Sequence, residues 1–154
     1  MAIRQIRTIG DEILSKKSKE VKNIDQKIID LLEDLKDTMR DRDGIGISAV
    51  QIGSLKRVVV IEGEDGEIIE LINPVIKKSE GEQTNEEACL SVPDMQGPVK
   101  RPEYIEVEAL DRDGNTSYYE LEGFYAIVFS HEFDHLEGIL YTDKMVEEDE
   151  FEDL

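Results

Sequence analysis

The chain has two histidines, and they stand four residues apart in His131-Glu132-Phe133-Asp134-His135. On a helix that spacing puts both imidazoles on one face, one turn apart, where they can share a metal ion, with Glu132 beside them as a candidate base. Two unrelated surface histidines are the plain alternative, but chance gives no reason for a helical spacing with an acid inside it. Catalytic sites of this type take three protein ligands and keep one position open for water. The single cysteine, Cys89, offers a thiolate suited to a divalent transition metal, although a lone cysteine also serves as small core filler. Such a set supports metal-assisted hydrolysis, in which a metal lowers the pKa of water toward neutrality.

Elements must position these groups. From Gly123 to Glu137 the apolar period is helical, with Phe124, Val128, His131 and His135 on one face and Gly138 placed to end the helix. A second amphipathic helix is expected from Asp25, a suitable N-cap, to Arg40, through Ile28, Leu32, Leu35 and Met39. The glycine-punctuated stretch Gly44 to Gln51 reads as a loop. Arg57–Glu62 with Glu67–Ile72, and Tyr104–Leu110 with Thr116–Leu121, read as two hairpins. The fold class is therefore α+β, with antiparallel sheets around a central metal-binding helix.

At 154 residues the chain is long enough for one substantial core. Residues 1–146 are expected to form a single catalytic domain, and 147–154 an acidic, solvated C-terminal tail. The net charge of -19 repels phosphate backbones, so direct nucleic-acid binding is not expected. No stretch approaches the ~20 apolar residues of a membrane span, and the start lacks an apolar leader, so no membrane partner and a cytoplasmic location are expected. One cysteine fits a reducing compartment.

Three motifs occur in fixed order: Gly44-Ile-Gly-Ile-Ser-Ala-Val-Gln51, Glu87-Ala-Cys-Leu-Ser91 and Ser130-His-Glu-Phe-Asp-His-Leu136. Together they resemble the peptide deformylases, whose motifs run Gly-x-Gly-x-Ala-Ala-x-Gln, Glu-Gly-Cys-Leu-Ser and Gln-His-Glu-x-x-Asp-His-Leu. The similarity extends from Ile3 to Met145. It implies removal of the N-formyl group from the N-terminal methionine of nascent polypeptides, releasing formate. It further implies that Cys89, His131 and His135 bind a divalent metal and that Glu132 is the general acid and base. Gln51 and the Leu90 backbone N–H would stabilise the oxyanion. The metal expected physiologically is Fe(II), with zinc, nickel or cobalt in preparations. The N-formylmethionyl peptide would lie near Ile45, Gly46, Glu87 and Ala88, its methionine above Phe124, Ile127 and Val128. Transient proximity to the ribosome is the further partner implied, without a basic C-terminal helix to dock there.

The chain departs from the family pattern at Ser48, usually alanine, Ala88, usually glycine, Ser130, usually glutamine, and Gln96, where arginine is frequent. Two alternatives follow. A metalloendopeptidase uses the same two-histidine helix, but neither Cys89 in its Leu-Ser context nor the Gly44–Gln51 loop would then be explained. A catalytically silent protein of the same fold, holding N-termini without cleaving them, is the other.

Overall fold

A computed structural model of the protein describes residues 2–146. The acidic run expected as a tail, 147–154, lies outside the described residues.

Helix α1 spans Gln26–Asp41, and Asp25 caps it by accepting from the Ile28 N–H at 3.2 Å. Helix α2 spans Phe124–Leu136 between Gly123 and Gly138, both at positive φ where a side chain is costly. Five strands, β1 (Gly46–Ser48), β2 (Val58–Glu62), β3 (Ile68–Glu80), β6 (Tyr104–Leu110) and β7 (Thr116–Glu122), form one antiparallel sheet in the order β1-β2-β3-β6-β7. Strands β4 (Gln83–Cys89) and β5 (Val92–Arg101) form a separate antiparallel pair. The α+β class and both expected hairpins hold.

Strand β2 explains the layering. Its run Val58-Val59-Val60-Ile61 is buried throughout because both faces of the sheet are covered. Val58 and Val60 pack with Leu32, Leu35 and Met39 of α1, while Val59 and Ile61 pack with Ala126, Phe129 and Leu136 of α2. Helix α2 thus lies against the sheet with its histidine-bearing face turned toward β1 and the β4–β5 pair. A third cluster, Leu14, Val92, Val99, Leu140 and Tyr141, seats that pair.

The stretch from Gly44 to Gln51, expected as a loop, is a strand followed by a single helical turn. Gly46, Ile47 and Ser48 pair with Ile61, Val60 and Val59 of β2, and Ala49–Ile52 close the turn. Ile47 points into the α1 core, so the strand's alternation sends Gly46 and Ser48 to the α2 side. Strand β3 also runs eight residues beyond the expected Ile72, through Asn73 at positive φ and a shift of register. Asn73-Pro74 is a turn signal by composition, but here it bends a continuing strand.

The C-terminal end of α2 is held from outside. The Arg57 guanidinium donates to the carbonyls of Ser18 and Leu136, both at 3.3 Å, and to the Glu137 carboxylate at 3.0 Å. A cation there also complements the helix dipole. Arg57→Ala is expected to lower stability by about 1–3 kcal/mol, measured by urea unfolding. A shift under ~0.5 kcal/mol, the range of an ordinary surface substitution, would show that Arg57 does not anchor the helix.

Candidate active site

Cys89 ends β4, and His131 and His135 project from the third and fourth turns of α2. Their ligand atoms all lie within 4.8 Å of one another. Cys89 Sγ is 3.4 Å from His135 Nε2. A tetrahedral ion with ~2.3 Å to sulfur and ~2.0–2.1 Å to nitrogen would separate those atoms by roughly 3.5 Å, so the observed edge fits a metal. The two rings are 4.9 Å apart and nearly perpendicular, which keeps them from stacking on each other.

His131 has its second nitrogen occupied. Nδ1 sits 2.9 Å from Glu87 Oε1, leaving Nε2 for the shared centre. Glu87 is itself fixed by a bidentate Arg101 pair at 2.8 and 2.9 Å, and the same guanidinium bonds Asp134, within the histidine motif. Lys144 closes the far side of Asp134 at 3.0 Å. Arg101 is only 4% exposed, and a charge so deep persists because carboxylates meet it from β4 and α2 together. Tyr141 stacks beside the His131 ring.

The electrostatics follow from this arrangement. Burial acts against Glu87, but the hydrogen bonds from Arg101 and His131 hold its carboxyl below the usual range. Burial also acts against charge on His131, yet Cys89 and Glu87 outweigh it and push the imidazole up to about 10. Burial, with the charges of His131 and Arg101, holds His135 well below the ordinary value. A metal taken up here must displace the His131 proton, so its affinity weakens as pH falls.

Glu132 lies at the floor of the cleft, 5% exposed. Burial pushes its carboxyl up to about 7, against the pull of His131, Ser48 and Arg101. Its Oε1 stands 4.0 Å from His135 Nε2 and has no hydrogen-bond partner among the described residues. An orphaned buried carboxylate oxygen beside three ligand atoms suits a base awaiting water. Gly46 makes room for it: a Cβ there would meet Glu132 Oε2 at 2.9 Å and Val128 Cγ1 at 3.0 Å.

Gln51 is buried, with its amide Nε2 3.6 Å from Cys89 Sγ and 3.1 Å from Ser91 Oγ. Leu90 and Ser91 form the turn between β4 and β5, and Leu90 lines the cleft. The amino-terminal arm ties both segments, since the Arg7 N–H donates to the Gln51 carbonyl and the Ile9 N–H to the Ser91 carbonyl, each at 2.7 Å.

Above these groups opens a cleft of about 690 Å³. Ile45, Gly46, Gln51, Ala88, Leu90, Ile127, Val128 and the half-exposed Phe124 line it, so the residues expected near the peptide and at the oxyanion all border one space. Glu87 borders it too, but its carboxylate is engaged with Arg101 and His131. Gln96 and Met95 add to the rim. The sequence reading did not single out Arg101, nor did it assign Asp134 a role within its motif.

Fold and site together define a class, an α+β hydrolase whose Cys-His-His group can hold a metal. The polypeptide deformylase family model matches residues 3–151. The peptide deformylase of Caldicellulosiruptor bescii is 51% identical over 146 residues, covering 95% of this chain and 87% of that protein. That of Acetivibrio thermocellus is 51% identical, covering 99% and 91%. Among solved structures, the peptide deformylase of Thermotoga maritima superposes with a TM-score of 0.91 at 34% identity over 96% of this chain and all of that one. The Legionella pneumophila enzyme gives 0.90 at 40% identity over 98% and 90%. The chain belongs to the polypeptide deformylase family, metal-dependent hydrolases that remove the N-formyl group from nascent peptides.

Removing the acceptor on His131 tests the outer layer of the site. Glu87→Ala, which leaves His131 Nδ1 without that acceptor, is expected to weaken metal binding about 10–100-fold in a chelator competition. Unchanged affinity would mean that Glu87 does not orient the ligand.

Proposed function

We propose that Glu132 is the acid and base of deformylation, that Cys89, His131 and His135 hold one divalent metal, and that Gln51 and the Leu90 N–H receive the oxyanion. The observation that carries this reading is the buried, unpartnered Glu132 oxygen beside three convergent ligand atoms at the floor of an open cleft. A divalent metal held there supplies Lewis acidity, polarising the formyl carbonyl and making water easier to deprotonate.

The chain's own groups do the rest. Glu132, its carboxyl raised by burial, takes a proton from water as hydroxide adds to the formyl carbon. Negative charge grows on the formyl oxygen, where the Gln51 amide and the Leu90 N–H donate to it. Each such donor contributes roughly 3 kcal/mol to comparable transition states. Glu132 then returns the proton to the departing amine, and formate leaves. The peptide would extend past Ile45, Gly46 and Ala88, with the methionine side chain against Phe124, Ile127 and Val128. Glu87 acts through His131 rather than on the peptide.

A thiolate with two imidazoles suits zinc, iron, cobalt or nickel, and the family points to Fe(II) among them. A thiolate so placed is open to oxidation, which would remove a ligand. Among the described residues no helix is long and apolar enough to cross a membrane. The acidic surface and the single thiol support a cytoplasmic enzyme that meets nascent chains near the ribosome without binding nucleic acid.

Glu132→Ala is expected to keep its metal and lose formate release from formyl-Met-Ala-Ser; turnover near the parent rate would refute the assignment, and binding without turnover in the parent protein would favour the silent reading. The pH dependence carries a sign. Glu132 works as a base, so kcat/KM should fall as pH drops through its pKa, which is about 7 and lower still beside a cation. A profile rising toward acid would contradict this.

A further inference from the structure

Gln51 can serve an oxyanion only if its amide nitrogen, not its oxygen, faces the cleft, and the two ends of an amide are nearly equal in shape. Something must choose between them. The Oε1 atom accepts two hydrogen bonds from one residue, the Ser48 backbone N–H at 3.0 Å and the Ser48 hydroxyl at 3.2 Å. At the other end, Nε2 donates one hydrogen to Ser91 Oγ at 3.1 Å and aims the second toward Cys89 Sγ at 3.6 Å. Turning the amide over would set its N–H₂ against the fixed Ser48 N–H, donor against donor, at a buried position. Ser48 has no exposed surface and Gln51 is 1% exposed.

The backbone N–H is available from any residue at this position except proline. The hydroxyl is not. It fills the second lone pair of the carbonyl oxygen, and donation onto an amide oxygen strengthens donation from the same amide's N–H. We propose that the Ser48 side chain is a positioning residue for deformylation, holding and polarising the Gln51 amide so that the N–H aimed toward Cys89 Sγ can meet the formyl oxygen instead. This rests on the reading of Gln51 as an oxyanion donor. Because Gln51 exchanges its long contact with Cys89 Sγ for the oxyanion only as charge develops, Ser48 acts on kcat and leaves substrate binding alone.

Glu132 competes with Gln51 for the one hydroxyl hydrogen, and donation to it would favour its carboxylate, so the test must separate the two routes. A double-mutant cycle does so, using metal-loaded enzyme of verified metal content and formyl-Met-Ala-Ser as substrate. Ser48→Ala alone is expected to lower kcat about fivefold, the worth of one net hydrogen bond, with KM within twofold. Gln51→Ala alone is expected to cost about 10²–10³-fold. In the Gln51→Ala background, Ser48→Ala should have no further effect. If its fivefold loss persists there, the hydroxyl works elsewhere, through Glu132 or through packing, and the proposal is overturned while the oxyanion reading stands. An unchanged kcat in Ser48→Ala also overturns it. If Gln51→Ala costs nothing, both readings fall together.

Discussion

A cysteine sulfur and two imidazoles converge here from elements that have no local reason to meet. The histidines come from one helix, four residues apart, while the sulfur arrives at the end of a strand of a different sheet. Electron-rich donors crowded in a dry site repel one another or draw protons, and Cys89 with Glu87 pushes the His131 imidazole up in that way. The cost of that convergence shapes much of what surrounds it. Arg101 brings a buried positive charge to the same region, and its two carboxylate partners belong to the ligand-bearing elements themselves, Glu87 on β4 and Asp134 on α2. The ion pairs therefore fasten β4 to α2 across the site, and Glu87 converts that fastening into an orientation for His131. A removed partner would leave a buried charge uncompensated, which is far costlier than the pair is stabilising.

The second constraint is room. Water, a carboxylate and a peptide must share the floor of the cleft, and the sheet provides for this through β1. Its alternation sends Gly46 and Ser48 toward α2, one contributing no side chain above Glu132 and the other a hydroxyl that reaches Gln51. The single helical turn that follows brings Gln51 back beneath Cys89. The amino-terminal arm then pins the Gln51 and Ser91 backbones with two short hydrogen bonds. The Gln51 segment is thus fixed by backbone on one side and serine hydroxyls on the other, as the proposed donor requires.

Much of this was legible in the residues. Helices α1 and α2 and both hairpins follow from periodicity because each buries a continuous apolar face, and Asp25, Gly123 and Gly138 mark ends. The three candidate ligands, Cys89, His131 and His135, and Glu132 beside them were legible through motif order, and the structure brings the three together. Strand β1 was not, since Gly-Ile-Ser carries too short a pattern to outweigh its glycines. Nor was the β4–β5 pair, whose polar residues, Pro93, Gly97 and Pro98 suppress any alternation; its pairing is imposed by the cluster around Val92, Val99 and Tyr141. Arg101 and Ser48 were hidden for a different reason. Their contacts exist only between residues distant in sequence or on opposite sides of a turn, and Ser48 read merely as a departure from an expected alanine.

The account stands on one ion bound by sulfur and two ring nitrogens. X-ray absorption at the metal edge of the loaded protein, collected without oxygen, measures that shell directly. It should show a single sulfur at about 2.3 Å and nitrogen or oxygen scatterers at about 2.0–2.1 Å. A shell of light atoms alone, with no sulfur in a fully reduced and active sample, would contradict it.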